Sequence, residues 1–118
     1  MTNEELKEQT MDFAVRVLRM AESLPKTVSG QTVARQVSRS GTSVAANYRA
    51  ALRGKSRADF INNITIVLEE AAETGFWIEL SERARLLPKA KLTALADESE
   101  QLGKIFSATR RTTRNRTS

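Results

Sequence analysis

The chain contains no cysteine, no histidine, two prolines and only six aromatic side chains among 118 residues. Without Cys or His there can be no zinc finger, haem ligation, thiolate nucleophile, Ser-His-Asp triad or Glu-x-x-His di-iron site. The missing cysteines also remove any disulfide framework, which fits a reducing compartment. Glycine is scarce too, and Gly54 stands alone rather than in a phosphate-cradling loop. No stretch approaches the ~20 apolar residues of a membrane span. Glu4, Glu5, Glu8, Asp12 and Glu22 interrupt the apolar positions of the first two dozen residues, unlike a signal peptide. The expectation is one small cytoplasmic domain with no enzymatic activity, no cofactor, no metal and no membrane partner.

Charge is present in blocks. Residues 1–22 carry a net −2, residues 23–58 carry +7 with no acid at all, residues 59–103 carry −5, and residues 104–118 carry +5. Such blocks build either complementary faces between neighbouring elements or exposed patches for a polyanion.

Apolar periodicity divides the chain into four helices. Leu6, Thr10, Phe13, Val17, Met20 and Leu24 share one helical face, and Pro25 closes the segment. A second helix starts near Thr27 or Ser29 and runs past Leu52 on Val33, Val37, Val44 and Tyr48, with Gly54 at its end. Ser56 with Asp59 imitates a capping box and opens a third helix on Phe60, Ile64, Val67, Leu68, Ala71 and Ile78, expected to reach Leu87. Beyond Pro88, Leu92, Leu95, Ser99, Leu102 and Phe106 carry a fourth. The basic segment 109–118 has no apolar anchor and is expected to be a disordered tail after a bundle domain at 1–108. Short connections between long helices predict an all-α, antiparallel up-down-up-down four-helix bundle.

Helix two has three faces. Opposite its core stripe, Arg35, Arg39, Arg49 and Arg53 fall within a sector about 80° wide at 100° per residue. Between core and basic face runs a stripe of small or amide side chains, among them Ser40, Ser43 and Asn47. Helix three has a second stripe of its own containing Ile66, Glu70, Glu73 and Trp77. A helix with one stripe for its core and another bearing Trp predicts contact with a second chain. In the competing reading the stripe only flanks the core, with Glu70 and Glu73 solvated at its boundary, and arginines such as Arg39 and Arg49 pair with Glu69, Glu70, Glu73 or Glu79 on the next helix or subunit.

The run from Arg39 to Ala51, with Arg39-Ser40 and Ser43-Val44 ahead of Ala46-Asn47, and the following Ser56-Arg57-Ala58-Asp59-Phe60-Ile61 resemble the four-helix bundle proteins encoded in intervening sequences of bacterial 23S rRNA genes. Leu24-Pro25-Lys26 and the segment from Glu69 to Leu80 fit the same pattern. Asn47 is followed by Tyr48-Arg49-Ala50-Ala51 where many members have Ile-x-Glu-Gly, so the sequence resembles a separate branch. The resemblance implies a homopentameric barrel of bundles. Through the similar accessory variability determinant of diversity-generating retroelements, it implies a basic surface for nucleic acid, and it implies no enzyme activity.

The resulting expectation is a homopentamer that binds nucleic acid, RNA first, with low sequence specificity. Its phosphate contacts would be Arg35, Arg39, Arg49, Arg53, Lys55, Arg57 and the basic tail, and its self-interface Ser40, Ser43, Asn47, Glu70, Glu73 and Trp77. The alternative is an adaptor or scaffold whose basic face meets an acidic protein partner.

Overall fold

The computed structural model describes residues 1–116. Thr2 caps the first helix, α1 (Asn3–Ser23), through a reciprocal capping box: its hydroxyl accepts from the Glu5 N–H at 3.1 Å, and the Glu5 carboxylate accepts from the Thr2 N–H at 2.8 Å. Leu24, extended ahead of Pro25, stops it. Thr27 caps α2 (Val28–Leu52), and Ser56 caps α3 (Arg57–Arg83) by accepting from the Asp59 N–H. A short 3-10 turn at Lys89–Lys91 leads into α4 (Thr93–Asn115). Among the described residues there is no strand. The helices pack in chain order as an antiparallel bundle, a rod of 51 × 20 × 20 Å.

Phe13, Val17, Val37, Val44, Ile64, Val67, Leu102 and Phe106 are sealed from solvent along the rod's axis. The predicted core stripes therefore face inward together. The approach of α1 and α2 is tightest at Gly41, where an added Cβ would lie 2.5 Å from Val17 Cγ1. Tyr48 is buried as expected; its ring packs on Phe106 at 5.3 Å and its hydroxyl donates to Asn3 Oδ1 at 3.3 Å. Burial raises the Tyr48 pKa.

Two boundaries differ from the sequence reading. The third helix ends at Arg83 rather than Leu87, because Arg85 turns left-handed at φ 56°. The Leu86 N–H then bonds Ser81 O at 2.9 Å and the Arg85 N–H bonds Glu82 O at 3.0 Å, a Schellman closure built without glycine. The segment expected to be a disordered tail is instead the last turns of α4 as far as Asn115. Thr109 and Thr113 donate to the carbonyls of Ile105 and Thr109, both at 2.9 Å, and the Arg110 guanidinium reaches Thr65 Oγ1 at 3.3 Å. Local hydroxyl bonds and one cross-helix bond supply the anchoring that apolar side chains do not. Thr117 and Ser118, the end of the expected tail, lie outside the described residues.

Candidate nucleic-acid interface

The two stripes expected to meet a second chain are largely occupied within their own chain. Ser40 is fully buried, and Thr74 Oγ1 of α3 donates to its hydroxyl at 2.8 Å. The Arg39 guanidinium donates to Glu70 at 2.8 Å and also engages Glu73. Trp77 is half-buried, packs against the core, and donates from Nε1 to Glu73 at 3.4 Å. Ser43 and Asn47 are half-buried on the flank of α2 that carries Ser40, with Asn47 Nδ2 donating to Ser43 O at 2.9 Å. Ser40 therefore belongs to the α2–α3 seam of its own chain, which Arg39 also bridges to Glu70 and Glu73. A helix at the corner of a square bundle touches two neighbours, so it needs two flanks besides its solvent face.

The basic residues separate by the same geometry. Arg39, expected as a phosphate ligand, is engaged by Glu70 and Glu73, whose side chains are 14% and 37% exposed. Arg49 is half-buried, with a Nε that is enclosed and unbonded to protein. Arg35, Arg53, Lys55 and Arg57 are exposed, and no acidic side chain pairs with them among the described residues.

Arg53, Lys55 and Arg57 lie at the connection from α2 to α3. Because α4 runs antiparallel to α3, its C-terminal turns come to the same end of the rod and bring Arg110, Arg111, Arg114 and Arg116 with them. The two sets touch: the Arg57 guanidinium donates to the Arg116 carbonyl, and a shallow depression there is lined by Arg57, Phe60, Thr109, Thr112, Thr113 and Arg116. None of the seven cations is ion-paired among the described residues. The C-termini of α2 and α4 both point there, and their partial negative charge favours cations in the last turn. The sequence reading had the loop and the tail as separate sources of charge. Their convergence depends on the helical continuation to Asn115, which no apolar pattern announces.

Glu70 and Glu73 face Arg39, and Glu69 is exposed. No described helix is long and apolar enough to cross a membrane.

Residues 2–108 match the family model described as 23S rRNA-intervening sequence protein. Among solved structures, the chain is similar to a protein of unknown function from the S23 ribosomal protein family of Bacteroides thetaiotaomicron VPI-5482. The two are 32% identical, the match covers 94% of this chain and 99% of that one, and the TM-score is 0.87. No curated protein matches the chain.

Proposed function

The chain belongs to the family of 23S rRNA-intervening sequence proteins, and we propose that it is a cytoplasmic, non-enzymatic homopentamer that binds RNA with low sequence specificity through the basic end of its bundle. The observation that carries this reading is the convergence of Arg53, Lys55 and Arg57 with Arg110, Arg111, Arg114 and Arg116, free of acidic partners among the described residues. Arginine suits phosphate because its planar fork bonds two oxygens at once. Copies of the same patch around a ring raise avidity without base readout. Sequence-specific RNA recognition usually adds exposed aromatic rings for stacking, and the single tyrosine, Tyr48, is sealed in the core.

Two unrelated RNAs titrated across a salt series test the proposal. Similar affinities that fall steeply with salt support it, and the variant Arg53→Gln, Lys55→Gln, Arg57→Gln should flatten the slope of log affinity against log salt by about 2, at roughly 0.7 per lost single-strand phosphate contact. Absence of RNA binding at low salt would instead favour an adaptor whose basic end meets an acidic protein.

A further inference from the structure

With the α2–α3 seam internal, two apolar surfaces remain without a partner in the chain. On α1, Met11, Val15 and Leu18 recur at spacings of four and three and are 38%, 43% and 42% exposed. On the other side of the bundle, Phe76 is 54% exposed at the rim of an open groove between α3 and α4. The groove contains Ala72, Gly75 and Gly103, and a Cβ built on Gly103 would meet nothing within 4 Å. A glycine weakens a helix interior, and no neighbour within the protomer requires this one. Its missing side chain leaves room for something from outside to approach the α4 backbone.

The charges at the two surfaces are complementary in one direction only. Towards the basic end of the rod the groove carries Lys104 and Arg111, and towards the opposite end Glu79 and Glu82. The α1 ridge is flanked by Glu8 and Asp12 at its N-terminal end, which lies at the basic end of the rod, and by the exposed pair Arg19 and Glu22 at the other. Glu8 and Arg19 are about 16 Å apart at 1.5 Å per residue. Lys104 and Glu79 are separated by about 20 Å along the groove, counted on either side of the level where Ser99 meets Ala71, a difference that long side chains span. A parallel helix therefore sets Glu8 and Asp12 against Lys104 and Arg111 and the near-neutral Arg19–Glu22 pair against Glu79 and Glu82, whereas an antiparallel one sets Glu8 and Asp12 against Glu79 and Glu82. Arg19 and Lys104 have only exposed intrahelical partners, Glu22 at 3.5 Å and Glu100 at 3.6 Å, which contribute little and leave them free to turn outward.

We propose that a second copy of this chain lays its Met11–Val15–Leu18 ridge, parallel, along the α3–α4 groove, so that copies join head to tail. The proposal rests on the homo-oligomeric reading above and adds which surfaces meet and in which direction. Ridge and groove are different surfaces, so the contact is heterologous, and with parallel rods the copies turn about an axis along the rods, which is the geometry a closed ring requires. Every basic end then lies on one face of that ring.

The test uses two variants of the full chain, Leu18→Glu to break the ridge and Gly103→Leu to fill the groove. The second adds a side chain where the protomer has open space, so circular dichroism should report an unchanged helical fold. By light scattering the parent assembles, and each variant alone has the mass of one chain, 13.1 kDa, with association weakened about tenfold or more. Mixed at high concentration, the two variants form a one-to-one dimer and nothing larger, because one intact ridge meets one intact groove. Either variant assembling like the parent, either dimerising alone, or a mixture that stays monomeric overturns the proposed contact while leaving the oligomeric reading in place. A monomeric parent overturns both.

Discussion

Thr74 of α3 donates to Ser40 of α2 at 2.8 Å, between two side chains with no exposure to solvent. That bond marks the α2–α3 seam as protein interior. Thr74 Oγ1 has a second acceptor at the same distance, the Glu70 carbonyl, whereas Ser40 has only the Val37 carbonyl at 3.4 Å. The two substitutions should therefore be unequal. Ser40→Ala lowers stability by about 1 kcal/mol, and Thr74→Val, which strands the Ser40 hydroxyl, by about 2 kcal/mol. Urea unfolding of the singles and the double checks this, with a coupling energy of at least about 0.5 kcal/mol expected from the cycle.

Arg39 and Arg57 should respond in opposite ways to the same change. Arg39→Gln leaves Glu70, 14% exposed, without its cation and should lower stability by about 1 kcal/mol while leaving RNA affinity unchanged. Arg57→Gln removes an exposed cation and should weaken RNA binding with little effect on melting. Equal losses of RNA affinity in both variants would contradict the division of the basic residues drawn from the fold.

Most of the architecture was legible in the sequence because each core stripe is apolar at helical spacing. Thr27, Ser56 and Pro25 punctuate the helices with local chemistry. The end of α4 was not legible, since Thr109, Thr113 and Arg110 hold it with polar bonds that leave no hydrophobic pattern. The neighbour of each second flank was not legible for a different reason. Periodicity shows that Ser40 and Trp77 lie on second flanks, but it carries no information on whether the neighbour belongs to the same chain. Phe76 could have been noticed, being a large aromatic about 120° and about 160° around the helix from Ile64 and Ile78 at roughly 100° per residue. Its groove could not, because Gly103 contributes to it by having no side chain.

Arg85 holds a left-handed backbone, φ 56°, to close α3. A side chain there costs roughly 1–2 kcal/mol, and glycine gives back part of that through its freedom in the unfolded chain. Arg85→Gly should raise stability by about 0.5–1 kcal/mol, seen as a melting temperature higher by roughly 2–5 °C. An unchanged or lower value would mean that Arg85 contributes contacts beyond its backbone role.

Acid should loosen the start of α1 before the rest of the bundle. The Thr2 backbone N–H bonded to Glu5 is the main cause that lowers the Glu5 pKa. A carboxyl with a depressed folded pKa stabilises the fold above its unfolded pKa and loses that contribution as pH falls through the folded value. Amide exchange at Leu6 and Lys7 should therefore accelerate on acidification below the ordinary glutamate range, after correction for intrinsic rates. Glu5→Gln keeps an acceptor that does not titrate, and should remove most of this pH dependence.

Gly41 and Gly103 are both helical, yet alanine should act oppositely at the two. At Gly103 the new methyl enters open space, so the helix-propensity difference acts alone and Gly103→Ala should stabilise the protomer by up to about 1 kcal/mol. At Gly41 the same gain is set against a Cβ placed 2.5 Å from Val17 Cγ1 and 2.8 Å from both Cβ and Cγ2. No rotation of Val17 relieves all three contacts, because its Cβ does not move with χ1, so α1 and α2 must separate. Overpacking of this kind costs roughly 1–3 kcal/mol, and the net for Gly41→Ala should be a loss of about 1–2 kcal/mol. Thermal unfolding of the two variants in the Leu18→Glu background, where assembly does not contribute, compares them directly. A stabilised Gly41→Ala would mean that the two helices can part without loss, and that the close contact seen between them does not hold the bundle.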